Sequence, residues 1–380
     1  MTKRRLMVYL DPGFLENRGH YMNFSKHIHA EAARRGIAIR HYVNSATSKD
    51  YCAEHGLIAE FGRTAYLADS TKNDEVVAIV DAIDQGFARI VASIAAEAGN
   101  FDEIVYYMYT GHPAYLSSLA LQLARHPHGA AAVAAHVVLF YLSDRFSYGS
   151  DDGRYASYLQ RVSRQLDHLD PDGKIHVGID SDTAQASHAA QFSRSVTVVP
   201  FPHMQRAEMP AFPAKQSTKS GRPRITYTGY PHSKYGFHLV LALLERSLNF
   251  PFWANVEFEL KLNARLKEDD LVQRWESLKG KLKNLHVHEG YMEDADYLAM
   301  IGRADVLLVP YGSQYNHDTS AVLVDGLLSG SVIVAAEPTW MANVFSQHGS
   351  GQAYVAEDPD SFIAATLEVV ANLADRKSVV

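Results

Sequence analysis

Cysteine is nearly missing. Cys52 stands alone, so no disulfide can form within the chain and nothing calls for an oxidising compartment. Long apolar runs are missing too. The longest, Gly129 to Leu142, is shorter than the ~18–20 residues of a helical membrane span, and His136 interrupts it. The start, MTKRRLMVYLDPG, is basic but has only a strand-length apolar run with no A-x-A-like site after it, so no secretory signal is expected. Neither sign of charge dominates. The 36 Lys and Arg against 43 Asp and Glu leave a net charge of −7, which argues against a surface that coats nucleic acid non-specifically. There is no short repeat, no low-complexity tract, and no His/Cys/Asp cluster at metal-ligand spacing. These absences give the expectation of a cytoplasmic protein without nucleic-acid partner, metal or cofactor.

What is present is globular. The chain has 380 residues, with 47% hydrophobic and 21% charged, enough for two cores. Short apolar runs alternate with amphipathic stretches, which predicts an α/β chain with doubly wound, mainly parallel sheets. In the first half, strands are expected at Leu6–Leu10, Ile37–Val43, Glu103–Tyr109, Val137–Leu142, Ile175–Ile179 and Ser195–Val199. Helices are expected at Tyr21–Arg35, Glu75–Ala98, Pro113–Arg125, Tyr155–Leu169 and near Thr183–Phe192. Pro202 to Pro223, rich in Pro, Ser and Lys, reads as a linker. The alternation then resumes, from a strand at Arg224–Thr228 to a closing helix at Asp360–Ala374. The organisation implied is a Rossmann-like domain over 1–203, a linker over 204–223 and a second over 224–380, facing a central cleft, with the last helix a candidate to pack back on the first domain.

Ligands of open α/β sheets bind beyond the carboxyl ends of the strands, so polar residues after each apolar run are the candidates. The first such place is Asp11 to His20, where Gly13 and Gly19 allow close backbone approach and a helix start follows. It lacks the G-x-G-x-x-G pattern, and an ordinary strand-to-helix loop reads the same. The second is Tyr109-Thr110-Gly111-His112-Pro113, where His112 stands between strand and helix. The third is Gly229 to Gly236, which brackets Lys234, a cation for phosphate or a plain turn lysine. The fourth follows Val306–Pro310. There Asp318 is a candidate N-cap, the amides of Ser320 and Ala321 a candidate anion site, and Asp325 a carboxylate two turns on that is suited to sugar hydroxyls.

Together these residues resemble the retaining GT-B glycosyltransferases of the sucrose-synthase and mannosyltransferase type (glycosyltransferase family 4). ITYTGYPHSKYGFHLVLALLE is similar to the strand and G-R-x-x-x-x-K-G turn of that family, and VLLVPYGSQYNHDTSAVLVDGLLSGSVIVA to its Glu-x7-Glu segment. HEGYMEDADYLAMIGRADVLLVP resembles the stretch before it, and the tail through D-P resembles the family's closing strand and helix. The resemblance covers the second half well and the first in outline.

The resemblance implies GT-B fold and metal-independent transfer of a sugar, with retained configuration, from a nucleotide-sugar donor to a glycan, lipid or small-molecule alcohol. Lys234 would meet the donor diphosphate after Gly229. Ser320 and Ala321 would offer amides, Asp325 would hold the ribose, and Gly290 and Tyr291 would lie beside the base. His112 would face the donor sugar, and Gly13, Gly19 and His20 would border donor and acceptor. The sequence also departs from the pattern. His317 aligns with the first motif acid and Asp318 stands next to it, so that place falls to His317, to Asp318 or to neither. Tyr230 replaces the usual arginine, Lys234 comes one residue early, and Lys261 stands where a glycine-rich turn is usual. Two alternatives stay open: a nucleotide-sugar epimerase of the same fold, and a degenerate protein that binds nucleotide or glycan without turnover. Lys3, Arg4, Arg5, Arg34 and Arg35 offer a peripheral contact to an anionic membrane if the acceptor is a lipid, although scattered cations usually form a solvated face.

Overall fold

The structure, a computed structural model, describes residues 3–16, 21–63, 73–139, 152–199, 221–290, 292–312, 315–316, 318–348 and 350–373. The chain separates into two compact units, Met1–His203 and Met204–Val380.

The first unit runs β1 (Arg5–Asp11), α1 (Tyr21–Arg34), β2 (Ala38–Asn44), α2 (Lys49–His55), β3 (Leu57–Phe61), α3 (Asn73–Ala96) and β4 (Glu103–Gly111). It continues with α4 (Pro113–Arg125), β5 (Ala132–Leu139), α5 (Asp152–Leu169), β6 (Ile175–Ile179), α6 (Asp182–Ala189) and β7 (Val196–Val198). Its seven strands are parallel, in the order β3-β2-β1-β4-β5-β6-β7. The sheet is buried on both faces, which is why its strands read as apolar runs rather than alternations. Helix α3 shows the matching helical logic. Ile79, Ile83, Phe87, Ile90 and Ile94 recur every three or four residues, and all are buried in the core with Leu6, Val8 and Leu10 of β1. Each such side chain contributes about 1.5–3 kcal/mol by leaving water.

The second unit runs β8 (Arg224–Gly229), α7 (Phe237–Ser247), β9 (Glu257–Leu262), α8 (Asp269–Leu278), β10 (Leu285–Glu289) and α9 (Asp294–Gly302). It continues with β11 (Val306–Val309), α10 (Ala321–Leu328), β12 (Val332–Glu337), α11 (Trp340–His348), β13 (Gly351–Val355) and α12 (Pro359–Ala371). Its six parallel strands are ordered β10-β9-β8-β11-β12-β13. Helix α12 lays Phe362, Ala365 and Val369 into this unit's own core.

Four elements differ from the sequence reading. Helix α2 and strand β3 fill a stretch for which no element was expected. Their signals are local: Ser48 caps α2 through Tyr51 N–H, and Gly56 closes it at φ +64°. Seven residues are too few to show a period. Strand β5 begins at Ala132 rather than Val137, because its first residues are alanines that carry little β signal yet pair with β4 from Glu103 onward. Residues 140–142 of the expected strand, and 204–220 of the linker, lie outside the described residues. Helix α10 begins at Ala321, not Thr319, with consequences for the site.

Candidate functional site

In both units the strand order reverses beside the first strand: between β1 and β4, and between β8 and β11. Such a switch point opens a crevice at the carboxyl edge where loops diverge, and ligands of open α/β sheets sit there.

In the second unit the loops after β8 and β11 meet at that point. Gly236, at φ +72°, ends the β8 loop, and a Cβ there would stand 1.7 Å from the Pro310 carbonyl oxygen at the end of β11. Only glycine permits this approach. The loop between is a short 3-10 turn, Ser233–Tyr235, capped by His232, whose Nδ1 accepts the Lys234 N–H at 3.0 Å. Glu268, just before α8, fastens the turn by accepting the Ser233 N–H at 2.8 Å and the Ser233 hydroxyl. The turn sets Lys234 Nζ 5.9 Å from the centre of the Tyr315 ring. Tyr235 packs on Tyr311 and Tyr315, with ring centres 6.1 and 5.6 Å away. The cation therefore lies against the loop that leads into α10.

The start of α10 differs from the sequence expectation. Ser320, not Asp318, is the N-cap. It is extended (φ −133°, ψ 114°), and its hydroxyl accepts the Leu323 N–H at 3.2 Å. The leading amides that an α-helix leaves unused then include those of Ala321 and Val322. Asp318 precedes the helix and shares no helix face with Asp325. Gly326 packs the helix on its sheet, since a Cβ there would come within 2.4 Å of Leu307. Asp325 is buried and accepts the Tyr297 hydroxyl from α9 at 2.9 Å on Oδ2.

Gly229 ends β8 in register with Leu262 of β9, and Leu262 with Glu289 of β10. Gly290 follows at φ +87°, its N–H on the Leu262 carbonyl at 2.9 Å, so it stands at the same sheet edge as Gly229. Lys261 is largely buried, its ammonium on the Asn263 side chain, and burial lowers its pKa. Tyr230 is 53% exposed, its ring 5.8 Å from Tyr235. Tyr291 and His317 lie outside the described residues.

In the first unit, His112 is the N-cap of α4. Its Nδ1 accepts the Ala114 N–H at 3.2 Å, which leaves the proton of the neutral ring on Nε2. Burial pushes its pKa down to about 3, so the ring is neutral near pH 7 and offers a donor rather than a positive charge. Gly13 lies in a buried stretch of the β1 loop, where Asn44 Nδ2 donates to the Pro12 carbonyl at 3.1 Å and the Thr47 hydroxyl to the Phe14 carbonyl at 3.2 Å. Gly19 and His20 lie outside the described residues. Tyr106 and Tyr109 are core residues. Among the surface cations, Arg4 pairs with Asp102, and Arg34 and Arg35 both pair with Glu31.

Sequence reasoning missed the fasteners: Glu268, Tyr297 and Pro310. Of their partners, Gly236 and Asp325 left a sequence signal and Ser233 did not. Among the described residues no three His, Cys, Asp or Glu side chains converge as a metal site requires, and no helix is long and apolar enough to cross a membrane.

No protein-family model matches the chain, and no curated protein sequence does. Solved structures do match. Sucrose-phosphate synthase from Thermosynechococcus elongatus is 13% identical, with 99% of this chain and 92% of that one covered and a TM-score of 0.68. HepE of Anabaena in complex with UDP is 16% identical, with 98% and 92% covered and a TM-score of 0.64. A glycosyltransferase from Rickettsia africae is 9% identical, with 99% and 93% covered and a TM-score of 0.63. The fold is GT-B. The likeness spans nearly the whole of each chain and both sheets, so the GT-B architecture extends to the first half, where the sequence resembled the family only in outline. At these identities it is the architecture that is shared.

Proposed function

We propose that the protein is a glycosyltransferase that takes a sugar from a nucleotide-sugar donor bound at the switch point of the second unit. The observation that carries this reading is the close passage of Gly236 past Pro310, which holds Lys234 against the loop entering α10. A diphosphate leaving group gathers negative charge in the transition state. A fixed ammonium and the leading amides of a helix stabilise that charge with no metal required, because both are aimed before the reaction begins. Comparable folds support the choice of ligand: HepE of Anabaena is described in complex with UDP-glucose.

On this reading Asp325 holds the ribose, its orientation set by Tyr297, and Gly229, Gly290 and Tyr291 border the nucleotide. Ser320 shapes the phosphate site as cap of α10, and Ala321 supplies an amide. His112, neutral with its proton on Nε2, donates a hydrogen bond to the donor sugar. Asp318 or His317 stands in for the first acid of the family motif. The acceptor, a glycan, lipid or small-molecule alcohol, meets the first unit by the loop of Gly13, Gly19 and His20. Retention of configuration and a peripheral membrane contact through the N-terminal basic residues belong to the same proposal.

A second reading, binding without turnover, draws on Tyr230 in place of the usual arginine and on the Asp325 carboxylate already bonded to Tyr297. Incubation with UDP-, GDP-, ADP- and dTDP-sugars, with and without an acceptor panel, separates the readings. Release of one nucleoside diphosphate that depends on acceptor supports transfer. Donor converted without acceptor indicates an epimerase, and tight binding with no conversion indicates the non-catalytic protein.

A further inference from the structure

One buried acid has no part in the reading above. Asp11 ends β1 at the switch point of the first unit and is 1% exposed. Its carboxylate has donors on three sides. Tyr9 of its own strand donates to Oδ2 at 3.3 Å, and Thr110 of β4 donates to Oδ1 at 3.4 Å. The backbone N–H groups of Gly13 and Phe14 stand close enough in the loop to stabilise its charge, and the Phe14 N–H donates to the Asp11 carbonyl at 3.1 Å. One carboxylate thus fastens the β1 loop to the strand end that precedes His112.

On its remaining side stands His41 of β2. The His41 ring stacks on Tyr9 with centres 4.1 Å apart and planes 20° apart, and Phe14 meets it edge-on at 5.6 Å. His41 Nδ1 is 3.3 Å from the Ser25 hydroxyl and 3.2 Å from His29 Nε2, both on α1. His41 Nε2 is buried with no hydrogen-bond partner among the described residues, and it lies 4.0 Å from Asp11 Oδ2. With the ring proton on Nδ1, donated towards His29 Nε2 or the Ser25 hydroxyl, Nε2 is a buried acceptor left unsatisfied, a free-energy cost that a carboxylate, which only accepts, cannot remove.

We propose that Asp11 is a proton-dependent latch: ionised, it holds the β1 loop to β4, and protonated, it turns its O–H to His41 Nε2 and releases donors on the loop. The proton comes from solvent and the new bond is O–H···N, so no other group changes charge. Burial pushes the carboxyl up to about 7, against the pull of Tyr9, Thr110 and the loop amides, so both protonation states are within reach near neutral pH. His41 is held neutral by burial and by the neighbouring His29, which keeps its ring able to accept. The other titratable groups facing the pair are Tyr9, Tyr107 and Tyr109, all with raised pKa values and neutral in this range. That the loop meets an acceptor rests on the proposed function. Its response to pH does not.

The test is NMR of the full chain, labelled at the Gly and Phe amides and the His rings, titrated about two pH units either side of neutrality. Gly13, Phe14 and the His41 ring are expected to share one inflection near pH 7 in the wild type. Asp11→Asn, which cannot titrate, should remove it at all three. Thr110→Val, which deletes a donor to the ionised form and is nearly isosteric, should move it upward, and decides the matter if the asparagine variant does not fold. No shared inflection in the wild type, its survival in Asp11→Asn, or no upward move in Thr110→Val overturns the latch.

Discussion

Gly236 and Pro310 approach so closely that a single methyl at 236 would stand 1.7 Å from the proline carbonyl oxygen. The contact joins the loop after β8 to the end of the adjacent strand β11, and everything proposed about phosphate binding depends on it. Gly236→Ala meets both a left-handed backbone, worth at least about 1 kcal/mol, and the clash itself. The expected outcome is a lower unfolding temperature, with loss of nucleotide binding in whatever folded protein remains. Thermal unfolding with and without nucleotide reads both, and an alanine variant as stable as the wild type would contradict the packing described.

Asp325 carries the prediction about ribose. A site built on hydrogen bonds to a hydroxyl rejects the analogue lacking it, because its own polar group is then left unpaired. The wild type should bind its nucleoside diphosphate about tenfold more tightly than the 2′-deoxy analogue, a difference of ~1.4 kcal/mol. Asp325→Ala should erase that preference. Isothermal titration measures it, and a preference unchanged in the variant would remove Asp325 from the site.

Tyr297→Phe tests the positioning of that carboxylate. Losing the 2.9 Å bond should lower stability by about 1 kcal/mol and weaken nucleotide binding less than Asp325→Ala does. If the phenylalanine variant loses more affinity than the alanine variant, Tyr297 itself contacts the ligand.

His112 predicts a pH dependence. Its pKa falls from 6.5 to about 3 on burial, so below about 6.5 the unfolded chain takes up a proton that the folded chain refuses. The stability due to His112 is therefore present above that pH and is lost as pH falls towards about 3. His112→Asn keeps a capping oxygen and cannot titrate, so its stability should fall less steeply with acid than that of the wild type. Denaturant unfolding across the acid range checks this, and parallel curves for the two proteins would contradict the buried neutral ring.

Much of the architecture was legible because parallel strands buried on both faces leave runs such as Val306–Val309, and long helices such as α3 leave a period. Helix α2 and the alanine-rich start of β5 were not, one too short and the other too weak in side-chain signal. At the site, glycines marked the loops, as at Gly236. What the residues do to one another did not show. Asp318 looked like the cap of α10 because Asp is a good cap, and Ser320 is as good. Backbone geometry, which a sequence does not spell out, chose between them. Glu268 and Pro310 act through contacts distant in sequence, and Asp11 reads as one acid among many until β2 and β4 close around it.

The central claim is that Lys234 serves a nucleotide diphosphate. The most direct measurement is a thermal-shift panel of UDP, GDP, ADP and dTDP, with their sugars, on the wild type and on Lys234→Ala. At a hundredfold excess over the dissociation constant a bound nucleotide adds ~2.7 kcal/mol, enough to raise the unfolding temperature by several degrees. The account predicts such a rise for one base in the wild type and its loss in the variant. No rise with any nucleotide, or an equal rise in both proteins, would contradict it.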